Sequence, residues 1–223
     1  MPARLDAALP ELQVTPLLRG VLHEAGFYVS VPLGAALVAA AEGGLPRAVA
    51  AVFAASVVAM FGASALYHRG TWSPAVRRRL RRLDHAGVYG LIAGTYTPVG
   101  VLVLHGAWRA GVLAVVWTGA LAAIGVRVVW FAAPEWLSAL IGVALGWVGV
   151  VVFPQLVHTL GLGPSSLLLA GGLCYTLGAV VYARRRPDPV PAVFGYHELF
   201  HALTLAAVGL QYGAIAFYVL PRG

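Results

Sequence analysis

Charge is scarce in this chain of 223 residues. Asp, Glu, Lys and Arg make up only 10% of it, against 60% hydrophobic residues. That balance excludes the one or two soluble domains that the length alone would suit. Lysine is absent, and all fifteen cationic side chains are arginines. The single cysteine, Cys174, excludes an intrachain disulfide and says nothing about redox compartment. Near the N-terminus no short apolar core leads into a small-residue cleavage site. The first apolar run therefore reads as a signal-anchor helix rather than a cleaved leader.

What is present is apolar length. Mean hydropathy is +0.84, and runs near twenty residues recur, enough for a helix to cross the hydrocarbon core of a bilayer. The fold class is an all-α, polytopic membrane protein. Set against charge and Pro/Gly clusters, the runs fall near 20–41, 47–68, 84–104, 108–130, 137–157, 165–183 and 197–219. This divides the chain into a short cytoplasmic N-terminal segment, 1–19, and a seven-helix transmembrane domain, 20–223. The basic stretch "RGTWSPAVRRRLRRL" reads as a linker between the second and third runs.

The net charge of +7 does not point to nucleic acid, because the arginines sit in short segments between apolar runs. Seven crossings put the termini on opposite sides. With the N-terminus inside, twelve arginines lie on the cytoplasmic side, leaving Arg47, Arg109 and Arg222 on the other. The positive-inside rule then sets the N-terminus inside and the C-terminus outside.

Ionisable groups within membrane helices are costly and mark candidate sites. His68 closes the second run, Asp84 opens the third, and His197 and His201 open the seventh. The topology brings all four to the cytoplasmic leaflet. The spacing of His197 and His201 puts both rings on one helix face, as a shared metal requires. Ser64 stands one turn before His68, where a hydroxyl can steady a ring or a water. Asp84 is either a fourth ligand or the group that orients water.

"HELFH" at 197–201 also fits the H-E-x-x-H of zinc proteases. An intramembrane protease of that kind draws a third ligand from a later aspartate, and no acidic residue follows Glu198. Elsewhere, His105 and His158 read as interfacial and His85 as turned about 100° from Asp84 along its helix. His23 and Glu24 read as a local polar pair near the site. The arginines 77–82 read as a topology determinant, with contact to anionic lipid headgroups as the alternative.

"SALYH", "RRLDHAGVYGLIAGTYTPV" and "HELFH", in this order, resemble the hemolysin III family, the bacterial branch of the superfamily holding the adiponectin and progestin receptors. The resemblance implies a seven-helix bundle with zinc near the cytoplasmic leaflet. By the same resemblance His68, His197 and His201 are the zinc ligands, Asp84 contacts the metal's water, and Ser64 is the hydroxyl behind the ligands. It also implies that Glu198 is incidental, since relatives tolerate a non-acidic residue there.

The adiponectin receptors are similar to hydrolases of lipid amides such as ceramide. Bacterial members were named for a haemolytic phenotype and are connected with membrane lipid homeostasis. The expected function is a zinc-dependent hydrolase of lipid amide or ester bonds, with membrane lipids as partners and no nucleic acid. The alternative is a non-enzymatic sensor, pore or cytolysin with a structural zinc. A transporter is third, since no ionisable chain crosses to the outer leaflet.

Overall fold

The computed structural model describes residues 16–130 and 134–223. The expected N-terminal segment therefore lies largely outside the described residues. Eight helices follow: α1 Val21–Ala40, α2 Leu45–Arg69, α3 Pro74–Leu102, α4 Gly106–Val129, α5 Glu135–Trp147, α6 Phe153–Leu160, α7 Leu162–Arg184 and α8 Tyr196–Ala214. A 3-10 turn, Val148–Val152, joins α5 to α6 into one interrupted rod, and α8 continues through a π turn to Arg222. The interruption has a cause: Pro154, with no N–H to give, sits in the first turn of α6, and the Val150 carbonyl accepts from Phe153 instead.

Among the described residues six helical stretches are long and apolar enough to cross a membrane: Val21–Ala40, Leu45–Arg69, Gly106–Val129, Trp136–Leu160, Leu162–Arg184 and Tyr196–Arg222. The remaining long helix, α3, is the central one. It packs along α2 and α4 and touches α5. It is the least apolar because its first turns carry five arginines, most of them exposed, and beyond them its residues mostly meet protein. The arginine stretch expected as a linker is instead the first turns of α3. Ser73 caps them by accepting from the Val76 N–H at 3.5 Å, and Pro74 takes the first helical position. Arginine is a good helix former, so once capped the run continues the helix.

Close approach of α2 and α3 rests on Gly94. A Cβ there would stand 2.1 Å from Ser56 Oγ, so no larger residue fits without moving a helix. Thr95 and Thr97 turn their hydroxyls back onto the carbonyls of Leu91 and Ala93, 2.9 and 2.8 Å away. The core between the rods is built from Phe53, Met60, Tyr89, Leu91, Val116 and Ile215, all 2% exposed or less. Outward faces carry exposed Leu33, Leu121, Leu140, Leu177 and Phe217, the surface expected against lipid.

The bundle has two distinct ends. At one, α1 turns into α2, α3 finishes, α4 begins and the C-terminus closes against Pro46 and Leu102. At the other, α2 finishes and α3 and α8 begin. There the turn before α1 is tied to the α7–α8 connection by Leu17 N–H to Ala192 O, 3.0 Å, and Leu18 N–H to Val193 O, 3.1 Å.

Candidate metal centre

The four groups singled out from sequence meet at this second end. One ligand atom from each of His68, His197 and His201 lies within 4.8 Å of the others. The Nε2 atoms of His68 and His197 stand 3.3 Å apart, and Asp84 Oδ2 is 3.7 Å from His68 Nε2. The i, i+4 spacing on the first turns of α8 turns both of its imidazoles inward, and the end of α2 supplies the third. Ser64, one turn below His68, is buried. Its hydroxyl is 2.8 Å from His23 Nδ1 and faces the Asp84 carboxylate.

His23 does not pair with Glu24. Its ring stacks on His201, centroids 3.6 Å apart and planes 14° from parallel, and meets Phe61 edge-on at 5.1 Å. Glu24 points the other way and accepts from Arg69 Nε at 2.7 Å. Sequence gives the depth of His23 but not the face of α1 that turns inward. His85 likewise lines the cavity described below, where the Arg127 guanidinium donates to its Nδ1.

Glu198, buried to 1%, is fully engaged away from the histidines. Its Oε2 accepts from the Gly195 N–H at 2.9 Å, capping α8, and its Oε1 accepts from Arg19 Nε at 2.5 Å. A carboxylate bound at both oxygens anchors the start of α8 to the turn before α1.

The turn that brings Arg19 there needs Gly20. Its φ is +78°, a left-handed conformation that favours glycine. A Cβ on it would also lie 2.5 Å from the Cβ of His68. Gly20 therefore sets how closely α1 approaches one of the three histidines.

The donor set fits a zinc ion. Three imidazoles converge, two of them with ring nitrogens turned on each other. His201 Nδ1 is buried with no hydrogen-bond partner among the described residues, although buried polar atoms are nearly always satisfied. Three nitrogen donors beside a carboxylate and an open cavity are the composition of a catalytic rather than a closed structural zinc site. That cavity has a volume of about 1040 Å³. It runs from the histidines past Tyr89, Thr95 and Tyr96 to Phe153 and Leu156, between α3 and the α5–α8 side of the bundle.

A family model described as Haemolysin-III related matches residues 13–212. Among curated proteins the chain is similar to "Hemolysin-3" of Bacillus cereus, 30% identical over 208 residues that cover 92% of each chain. It is also similar to "Hemolysin-3 homolog" of Bacillus subtilis (strain 168), 28% identical over 167 residues that cover 75% of each. With the match spanning the helices that carry the histidine cluster, this chain belongs to the haemolysin-III related family and is a multi-pass protein of the cell membrane.

Proposed function

We propose that this protein is a zinc-dependent hydrolase of lipid amide or ester bonds, serving membrane lipid homeostasis. The observation that carries this reading is the convergence of His68, His197 and His201 with Asp84 at one end of a long cavity whose farther walls mix Leu, Val and Phe side chains with Thr95, Thr176 and Gln211. The three histidines would hold the zinc, whose chemistry when bound is to polarise a carbonyl and acidify a water.

The chain's own residues do the rest. Asp84, mostly buried beside His68, accepts the proton of the attacking water and returns it to the leaving group, the work of a positioned acid–base. Ser64 and His23 hold that corner through their 2.8 Å contact. The walls of α3, α6 and α7 keep bulk water from the acyl chain. Glu198 takes no part, being occupied by Arg19 and the α8 cap.

The bundle is read as seven crossings, α3 included, with the N-terminus cytoplasmic and the C-terminus outside. Support comes from the twelve-to-three arginine count and from the way successive rods run between the two ends. The site then opens at the cytoplasmic leaflet.

A second reading is favoured by the printed name of the Bacillus cereus relative, "Hemolysin-3". In it the protein is a pore, cytolysin or sensor whose zinc only staples helices. Metal analysis of purified protein, paired with a lipid hydrolysis screen with and without chelator, separates the two. Zinc with chelator-sensitive turnover supports the hydrolase. Zinc without turnover on any lipid amide or ester, together with lysis of target membranes, supports the second reading.

A further inference from the structure

The arginine run on α3 is divided by its helix. Arg77 and Arg81 line the cavity, whereas Arg78, Arg79 and Arg82 do not. The same face continues inward through Asp84, Val88, Ile92 and Thr95, each of which also lines the cavity. The steps of three and four residues are those of one helical stripe. A topology determinant needs charge on one side of the membrane and has no use for register. Register is what the cavity imposes.

Other segments add to the same wall. The turn before α1 contributes Arg19, the last turn of α4 Arg127, and the C-cap of α7 Arg185. Among the described residues the cavity is lined by five arginines against two aspartates, Asp84 and Asp188. Glu198 offsets Arg19 from behind. The arginines form a gradient of burial. Arg77 and Arg185 are exposed, Arg19 and Arg81 half-buried, and Arg127 only 6% exposed. One sign of charge drawn inward along low-dielectric walls concentrates the opposite sign, and guanidinium is the group best matched to a phosphate.

We infer that the cavity selects a lipid whose headgroup is a net-negative phosphate, engaged by Arg77 and Arg81 on α3 together with Arg185, while its acyl chain occupies the apolar length between α3 and α7. This rests on the reading of the cavity as a lipid site and narrows it from lipids in general to anionic ones. It is tested by binding alone, so its failure and a failure of hydrolysis are separately visible.

Short-chain phosphatidylglycerol, its phosphatidylcholine counterpart and inorganic phosphate are titrated into the full-length protein in neutral detergent. Three proteins are compared: wild type, the cavity-face pair Arg77→Gln/Arg81→Gln, and the outer-face pair Arg78→Gln/Arg79→Gln. Wild type is expected to bind phosphatidylglycerol on the order of tenfold more tightly than phosphatidylcholine. The cavity-face pair abolishes that preference, and the outer-face pair, which removes the same charge from the same helix, preserves it. Both pairs lie on exposed or half-buried surface, so folding is retained and a melting curve checks it. Equal affinity for the two lipids overturns the inference, as does an equal loss in both double variants, which signals general surface attraction. Inorganic phosphate binding at the affinity of the lipid overturns the lipid part and leaves a free anion as the ligand.

Discussion

The two ends of the bundle are tied by different kinds of contact. Where α1 turns into α2 and α3 into α4, the tethers are local: Arg47 reaches the Ala41 carbonyl six residues away, and Arg109 the Val101 carbonyl eight away, while further along the rods Tyr212 donates to the Leu33 carbonyl 179 residues away. At the histidine end they are long. Arg19 and Glu198 are 179 residues apart, His68 and His197 129 apart, and His23 and Ser64 41 apart. The tethers at those turns close loops; those around the histidines close the bundle. Local tethers stabilise whatever loop they sit in. Long ones cost chain entropy and return it only when several helices are already in place, so three of them meeting around one cluster mark where geometry is held for use.

The comparison breaks first at the histidines. His68→Ala, His197→Ala or His201→Ala is expected to weaken zinc by more than ~100-fold, beyond the 10–100-fold typical of losing a residue around a metal. Zinc content after dialysis against a chelator measures this. His105→Ala at the other end leaves zinc unchanged.

Next comes Asp84. Asp84→Asn keeps size and a hydrogen-bonding group but removes the proton acceptor, and is expected to retain zinc while turnover falls by about 10²–10⁴-fold. Loss of zinc with activity identifies Asp84 as a fourth ligand and favours the structural-zinc reading. Wild-type turnover argues against an acid–base role.

Two glycines then sharpen the comparison. Gly20 and Gly106 both have positive φ, +78° and +58°, but a Cβ at Gly106 meets nothing within 4 Å, whereas one at Gly20 meets His68. Both alanine variants carry backbone strain of roughly 1–2 kcal/mol. Only Gly20→Ala is expected to weaken zinc as well. Equal melting shifts with equal zinc affinity would mean that α1 yields without moving His68.

The smallest expected effect is at Glu198. Glu198→Gln keeps an acceptor for the Gly195 N–H but leaves Arg19 without its charge partner. A melting temperature lowered by a few degrees, with zinc and most activity retained, is the expected outcome. Full loss of activity with zinc in place would make Glu198 the base and revive the protease-like reading.

Much of the architecture was legible because apolar length reports directly on bilayer thickness. Each of the seven expected runs corresponds to one helical rod. The start of α3 was not, since six arginines among fifteen residues suggest a solvated linker, although Ser73-Pro74 carries the signature of a helix start. The break at Val148–Val152 follows from Pro154, whose effect on a rod is visible only once the carbonyls are placed. At the site, His68, Asp84, His197 and His201 were legible because topology fixes depth. Which groups share a wall at that depth depends on helix rotation. That is why His23, buried on His201, passed for half of a local pair, and why Arg77 and Arg81 were not told from Arg78 and Arg79.

The placement of two of the three histidines on the last helix has a consequence for biogenesis. His23, Ser64, His68 and Asp84 are all synthesised within the first three helices, while His197 and His201 are synthesised only after α1 to α7. Until then a nascent chain holds a single member of the donor set and has no use for metal. Capture of a zinc ion would thus report that the final helix has inserted beside the first two. On the zinc reading, a chain stalled or truncated before α8 would lack two of the three donors.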